Sequence, residues 1–119
     1  MADPTLNLSE KQRLFAKLLG NLLAHIYAQG DEITLGEAYR TPEQAALNAQ
    51  KGSGIANSLH TQRLAIDLNL WQAGKWATDS AAHKPYGEWW KQQHPLCRWG
   101  GDFKKPDGNH YSIEHNGVQ

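Results

Sequence analysis

The sequence predicts a small α+β domain in which an N-terminal helix packs on a mainly antiparallel sheet. Three observations support this class. An apolar stripe with helical spacing lies near the N-terminus, short segments of alternating or continuous apolar residues follow it, and turns with glycine or proline separate these segments. A chain of 119 residues can bury one core, so residues 1–119 are interpreted as a single domain.

The first element is a helix predicted from Ser9 to about Gln29. Ser9 and Gln12 have the spacing of a capping box, in which two side chains satisfy free amides at a helix start. Gly30 follows as a helix stop. His25 is interpreted as a packed or surface histidine outside any site. The apolar stripe, typical of a face packed on a core, consists of Leu14, Phe15, Leu18, Leu19, Leu22, Leu23, Ile26 and Tyr27.

The elements that follow are predicted to be short. Alternation or branched aliphatic content predicts strands over residues 33–39, 64–70 and 110–114. A further short strand is predicted from Cys97, ending in the glycine pair Gly100-Gly101. Proline and capping signals predict helices over residues 42–50 and 80–93, with a hairpin-like excursion over 71–79. Glycine and serine in residues 51–57 predict a loop. His83 and His94 are expected on the surface, and Cys97 as a buried apolar side chain.

Charge and hydropathy limit the classes of binding partner that we expect. The formal net charge is +0, with 12 Lys+Arg against 12 Asp+Glu, so the basic surface of a nucleic-acid binder is missing and no nucleic-acid partner is expected. No apolar run approaches the ~20 residues that cross a bilayer, so no membrane insertion is expected. The N-terminus lacks the pattern of a signal peptide. We expect a monomer made in the cytoplasm.

Four residues form a candidate metal site. Asp67 interrupts the apolar run Leu64–Leu70, and a carboxylate buried there needs a partner or a cation. His60 and His110 offer imidazole nitrogens, and with Asp67 they form a three-ligand set of the kind that holds catalytic Zn²⁺ with one open position. Asp107, three residues before His110, is placed to act as a general base.

Two further residues are candidates for substrate binding. Arg40 lies at a strand-to-helix junction, where its guanidinium either binds a substrate carboxylate or carbonyl oxygen or forms a salt bridge with Glu37 or Glu43. Ser58, two residues before His60, either donates a hydrogen bond to substrate or organises the turn. A serine nucleophile is disfavoured because no base oriented by an acid is available to it.

These residues carry a family resemblance. Ser58-x-His60-x6-Asp67, followed by Trp-Gly-Gly and by Asp107-x-x-His110, resembles the zinc D-alanyl-D-alanine carboxypeptidase and L-alanyl-D-glutamate endopeptidase family, in particular its small phage endolysins. The resemblance covers roughly residues 33–114. It implies the hedgehog and DD-peptidase type of fold, the same zinc ligands, catalysis by Asp107 and an arginine, Arg40, near the substrate.

The function implied by the resemblance is zinc-dependent hydrolysis of a peptide bond in the peptidoglycan stem peptide, by an endopeptidase that reaches the cell wall after release by another factor. The L-alanyl-D-glutamate bond is the first candidate, and the D-alanyl-D-alanine bond is the alternative. A non-catalytic zinc-binding module and a histidine-metal nuclease are the rival classes, the latter opposed by the neutral charge. Arg63 stands where members commonly have glycine, so it either alters the backbone or fills part of the cleft.

Overall fold

The computed structural model describes residues 6–52 and 58–119. In this part of the chain, helices pack against one face of an antiparallel sheet, which confirms the predicted α+β class. Three short 3-10 helices connect the elements, at Leu59–Gln62, Ser80–His83 and Gly100–Asp102. The helices and strands are α1 (Leu8–Ala28), β1 (Glu32–Leu35), α2 (Pro42–Gln50), β2 (Ala65–Gln72), β3 (Lys75–Ala77), α3 (Lys84–Lys91), β4 (Cys97–Trp99) and β5 (His110–Ile113).

Helix α1 buries the predicted apolar stripe. Its most buried members, Phe15, Leu18, Leu22 and Ile26, recur every three or four residues and face the core. The predicted cap at Ser9 is wrong. The Asn7 side chain accepts a hydrogen bond from the Glu10 amide, and the Glu10 side chain accepts one from the Asn7 amide. Two overlapping capping boxes were available in the sequence, and the helix begins at the earlier one.

The sheet is centred on β2. Strand β1 pairs with one edge of β2, while β5 and β3 pair with two halves of the other edge, and β4 extends the sheet beyond β5. All these pairs are antiparallel, so every strand reverses the direction of its neighbour. A two-residue turn joins β2 to β3, and both its residues, Ala73 and Gly74, have positive φ (52° and 77°), as the twist of a tight hairpin requires.

The two faces of β2 differ in chemistry. Ile66, Leu68 and Leu70 are buried in the core, and the alternation of a strand sends the intervening side chains to the opposite face. Asp67 and Asn69 are therefore on the face turned away from the core, both half-buried. The core side contains α1 and α3, including the fully buried Trp90.

Two predicted strands are shorter in the structure. The first ends at Leu35, although the Gly36 amide still donates to the Asp67 carbonyl (2.8 Å) and the Asp67 amide to the Glu37 carbonyl (2.8 Å). The strand predicted from Cys97 to the glycine pair Gly100-Gly101 ends at Trp99, and the glycine pair begins a 3-10 helix. The predicted loop 51–57 lies outside the described residues from position 53 onward.

The expected surface position of His83 is wrong. Its side chain is buried and its Nδ1 lies 2.8 Å from the hydroxyl of Tyr111, which is also buried. Burial lowers the pKa of His83 to about 4, so the ring is neutral at neutral pH. Burial also raises the pKa of Tyr111, so the hydroxyl keeps its proton and donates it to the ring. Cys97 is buried as predicted.

Helix α3 places its two adjacent tryptophans in different environments. Trp90 is buried and donates its indole hydrogen to the carbonyls of Arg98 and Ser112 (2.9 and 3.1 Å). Trp89 is partly buried, and its ring stacks on His25 at a centroid distance of 4.2 Å. Among the helices of the described residues, none is long and apolar enough to cross a membrane.

Candidate metal centre

The structure brings His60, Asp67 and His110 together. Asp67 on β2 and His110 on β5 are directly opposite in the antiparallel register, so both side chains leave the sheet on the same face. His60 reaches this point from the 3-10 helix Leu59–Gln62. One nitrogen from each imidazole and one carboxylate oxygen all lie within 4.8 Å of one another.

His60 is held by backbone and side-chain contacts. Its amide donates to the Ser58 hydroxyl oxygen (3.2 Å), which caps the 3-10 helix. The ring Nδ1 lies 3.0 Å from the Ala38 carbonyl. A carbonyl only accepts, so Nδ1 carries the hydrogen and Nε2 keeps its lone pair. Nε2 is 3.4 Å from Asp67 Oδ1, and it is therefore available to a metal ion.

In His110 the two ring nitrogens have the opposite roles from those in His60. Its Nε2 lies 3.2 Å from the Gln119 carbonyl, and its Nδ1 lies 3.6 Å from Asp67 Oδ1. The Nε2 hydrogen therefore goes to the carbonyl and Nδ1 is left with its lone pair. The Phe103 ring packs beside the imidazole at a centroid distance of 5.3 Å. Both histidines thus use one nitrogen for a backbone carbonyl, as metal-bound histidines usually do.

The geometry of these donors fits a zinc ion. Asp67 Oδ1 is buried without a hydrogen-bond partner among the described residues, a costly arrangement unless a cation occupies the space. Its distances of 3.4 and 3.6 Å to the two imidazole nitrogens are too long for good hydrogen bonds. They match the separation of about 3.3 Å between neighbouring ligands that follows from tetrahedral Zn–N and Zn–O bonds of ~2.0–2.2 Å.

The three side chains also shift one another's protonation. Burial acts to raise the pKa of Asp67, but the two histidines outweigh it and lower that pKa to about 2. Burial acts to lower the pKa of His60, but the Asp67 carboxylate and the Ala38 carbonyl outweigh it and raise that pKa. The carboxylate is thus ionised at neutral pH, the state that a metal ligand requires.

All three candidate ligands line a cavity with a volume of about 440 Å³, which we call the central cavity. Asp107 lies on its wall. The turn before β5 positions Asp107: its amide donates to the Gly100 carbonyl (2.8 Å) and its carbonyl accepts from the His110 amide (3.0 Å). Loss of hydration and the nearby charge of Asp67 raise the pKa of Asp107. A carboxylate with a raised pKa is a better proton acceptor.

Arg40 lies on the wall of this central cavity and also forms the salt bridge that was its alternative interpretation. Its Nε donates to Glu37 Oε1 (3.0 Å), and its Nη2 contacts the same oxygen. The Arg40 side chain is only 14% exposed. The two interpretations are compatible, since Glu37 holds the guanidinium on the cavity wall.

Sequence reasoning missed several groups of the cavity. Lys105, two residues before Asp107, also lines the cavity and is a second cation there in addition to Arg40. The carbonyls of Ala38 and Gln119, which orient the two imidazoles, carry no sequence signal because every residue has a carbonyl.

Arg63 keeps the backbone that glycine would adopt. It ends the 3-10 helix at φ 58° and ψ 36°, in the left-handed region that glycine occupies without cost. Its guanidinium lies 4.1 Å from the centre of the Tyr39 ring, and the residue is not part of the central cavity's lining. Arg63 therefore does not fill the cleft.

Two histidines, an aspartate and a neighbouring acid, held on an antiparallel sheet with an open side, define the class of hydrolytic metal centres. Comparison with known proteins agrees with this class. The family model of D-alanyl-D-alanine carboxypeptidase matches residues 51–113, just over half of the chain. The chain belongs to this family and is a metallopeptidase of the kind that acts on peptidoglycan, which confirms the predicted family.

A solved structure is similar over nearly the whole chain. It is the crystal structure of Serratia marcescens L-Ala D-Glu endopeptidase ChiX, with a TM-score of 0.66, 18% sequence identity, and coverage of 93% of this chain and 89% of that chain. At this identity the likeness shows a shared fold. In a comparison with curated proteins, nothing matches.

Proposed function

We propose that this protein is a zinc-dependent endopeptidase that cleaves the L-alanyl-D-glutamate bond of the peptidoglycan stem peptide. The observation that carries the proposal is the buried Oδ1 of Asp67, which has no hydrogen-bond partner in residues 6–52 and 58–119 and lies 3.4 and 3.6 Å from two imidazole nitrogens. Support for the choice of bond comes from the similar fold of a protein named as an L-Ala D-Glu endopeptidase. The place of action in this proposal is the cell wall, reached after release by another factor.

The metal-binding role falls to His60, Asp67 and His110. When bound there, zinc would polarise the scissile carbonyl and lower the pKa of a water toward ~7. The Ala38 and Gln119 carbonyls fix the two imidazole rings, so little side-chain freedom remains to be lost on binding. The same carbonyls select the tautomers in which Nε2 of His60 and Nδ1 of His110 are unprotonated.

Proton transfer falls to Asp107. Its carboxylate, whose pKa is raised, accepts a proton from the attacking water and later delivers it to the nitrogen of the leaving amine. The proton thus moves from water to amine through one side chain, and the carboxylate is regenerated in each cycle.

Substrate orientation falls to the cations of the central cavity. Arg40 and Lys105 line it, and their charges attract substrate carboxylates or an oxyanion that develops on the carbonyl. The Ser58 hydroxyl oxygen accepts from the His60 amide, which leaves its hydrogen free to be donated to substrate.

A D-alanyl-D-alanine carboxypeptidase is the second candidate. An exopeptidase has to bind the free terminal carboxylate of its substrate. The cations Arg40 and Lys105 in the central cavity favour this activity because they attract such a group. The description of the matching family also names this activity.

One experiment decides between the two bonds. Purified protein is loaded with zinc, its metal content is measured, and it is incubated with defined muropeptides whose products are weighed by mass spectrometry. The proposal expects about one zinc per chain and products split between L-Ala and D-Glu, both abolished by chelator. Release of terminal D-Ala instead would assign the carboxypeptidase. An Asp67→Ala protein that retains both zinc and activity would overturn the metal site.

A further inference from the structure

A second cavity adjoins the central one. It has a volume of about 260 Å³, near the lower end of small-molecule sites at ~300 Å³. The β2–β3 hairpin and the turn before β5 enclose it, and it shares Pro106 and Asp107 with the central cavity. We call it the side cavity. Asp107, the proposed catalytic acid, therefore lies between the central cavity and the side cavity.

The walls of the side cavity are neutral and amphipathic. Trp76 contributes an indole ring that is 57% exposed and that stacks on Trp71 at a centroid distance of 6.4 Å. Asn69 and Asn109 also line the cavity, and within the described part of the chain their side-chain amides make no hydrogen bond. An exposed aromatic face next to free amide donors and acceptors suits a ligand with an apolar ring face and polar substituents.

The charge of the side cavity's lining disfavours acidic ligands. The lining contains no lysine or arginine, and its histidine, His83, is buried and neutral. Among the described residues of the lining, Asp107 is the one carboxylate. A ligand with carboxylates would meet Asp107 without a compensating cation in this cavity, whereas the central cavity offers Arg40 and Lys105. The two spaces therefore sort a substrate by charge, with acidic groups on the Arg40 side and neutral groups on the Trp76 side.

The spacing along β2 fits a ligand continuous with the stem peptide. Asp67 and Asn69 share one face of the strand, so their Cα atoms lie about 7 Å apart. Trp76 extends this row because it pairs with Trp71, the next residue on that face. A chain that crosses the centre at Asp67 therefore reaches Asn69 and Trp76 in turn.

We propose that the side cavity binds an N-acetylated sugar ring of the glycan to which the stem peptide is attached. The inference rests on the proposed function, because it takes the peptide in the central cavity to be a peptidoglycan stem. In that polymer the sugar is the bulky neutral group on the amino side of the stem, and the carboxylates lie on the other side. Seating the sugar beside Trp76 brings the first bonds of the stem to Asp107 and selects the sugar-proximal L-alanyl bond over the distal D-alanyl bond.

Binding alone is tested with a neutral probe, the disaccharide of N-acetylglucosamine, titrated into isotope-labelled zinc-loaded protein. The expected result in wild type is saturable shifts of the Trp76 indole signal and of the Asn69 and Asn109 side-chain amides. The amide shifts should be lost in Trp76→Ala and kept in Trp76→Phe. Leu35→Ala, a change at an exposed apolar residue outside the cavity, is the control and should shift like wild type. Absence of shifts at tens of millimolar probe would overturn the proposal.

Catalysis gives the second test. The kcat/KM for a disaccharide-bearing stem peptide is compared with that for the same peptide carrying only an N-terminal acetyl group. Wild type should prefer the sugar-bearing substrate roughly tenfold, about 1.4 kcal/mol, and Trp76→Ala should bring this ratio close to one. Equal values in wild type would overturn the sugar site. Cleavage of neither substrate would refute the proposed function, while the probe titration would still decide whether the side cavity binds sugar.

Discussion

The two faces of strand β2 perform separate tasks. Ile66, Leu68 and Leu70 on one face are at most 4% exposed and contribute apolar burial. Asp67 and Asn69 on the other face lie on the walls of the two cavities. Neighbouring residues on one strand therefore belong to different parts of the molecule: the core face contributes to stability, and the cavity face carries the proposed chemistry.

This division has a physical cause. Successive side chains of a strand point in opposite directions, so an ionised group can lie one residue from a dry core without entering it. The division predicts that substitutions on the cavity face change activity with little loss of fold, and that substitutions on the core face do the reverse.

The largest effect is expected on the cavity side, from Asp107→Asn. The amide keeps the size of the side chain but accepts no proton, so kcat should fall by about 10²–10⁴-fold while zinc content and melting temperature stay near wild type. Steady-state hydrolysis of a muropeptide and elemental analysis measure this. Asp102→Asn, the same change at an exposed acid that pairs with Lys91, is the control. Loss of zinc in Asp107→Asn would show that Asp107 is a ligand.

The matching substitution on the core face is Leu70→Ala. Leu70 is fully buried and lines neither cavity, so the truncation should lower the free energy of unfolding by about 2–5 kcal/mol. Urea denaturation measures the loss. Zinc stoichiometry and kcat, measured at a temperature where the variant is folded, should be close to wild type; a loss of zinc would mean that the two faces are coupled.

His83 links stability to pH. Its pKa is about 4 in the folded protein and about 6.5 in the unfolded chain. The unfolded state therefore takes up a proton first as the pH falls, and stability is lost between about pH 6.5 and pH 4. The metal-free wild type should lose about 3 kcal/mol more between pH 7 and pH 4 than His83→Gln does. Equal slopes in urea denaturation of the two proteins would contradict the assignment.

Arg40→Lys tests the cation that Glu37 holds on the cavity wall. A lysine keeps the charge but loses the planar fork, so kcat/KM should fall by about tenfold, with zinc content and melting temperature unchanged. Arg13→Lys, a conservative change on the outside of α1, should have no effect on any of the three. A lower melting temperature without a change in kcat/KM would show that the salt bridge with Glu37 is the sole role of Arg40.

The smallest effect on stability is expected from substitution of Arg63, which ends the 3-10 helix that carries His60. Arg63→Gly relieves a left-handed backbone that costs ~1–2 kcal/mol in a non-glycine residue, but it loosens the unfolded chain and removes the contact with Tyr39. These changes nearly cancel, so the free energy of unfolding should move by less than about 1 kcal/mol. Arg63→Ala keeps the strain without the contact, and it should be less stable than Arg63→Gly in urea.

The sequence was informative where a local pattern has one physical solution. The stripe from Phe15 to Ile26 has helical spacing and can be buried only as a helix face. Asp67 inside an apolar run needs a cation or a partner, and this need led to His60 and His110 before the structure showed them together.

The sequence was uninformative where the outcome depends on distant chain segments. Burial of His83 depends on Tyr111, which is 28 residues away. The choice of Asn7 over Ser9 as helix cap was open because both have an acceptor and a partner three residues later. The carbonyls that orient the imidazoles became identifiable only once the fold brought residues 38 and 119 beside them.

Gly100 has a consequence for mutational scans. A Cβ atom at this position would lie 2.1 Å from the Asp107 carbonyl oxygen and 2.8 Å from His110 Cβ, closer than atoms can approach. Any side chain there would push the turn that carries both residues out of place. In a saturation library selected for peptidase activity on peptidoglycan, position 100 should tolerate as few residues as the proposed metal ligands do, although glycine brings no functional group. A ranking of residues by mutational sensitivity alone would therefore misassign this glycine as a chemical participant. The melting temperature of metal-free Gly100→Ala would separate the two roles, because a displaced turn lowers it and the loss of a reacting group does not.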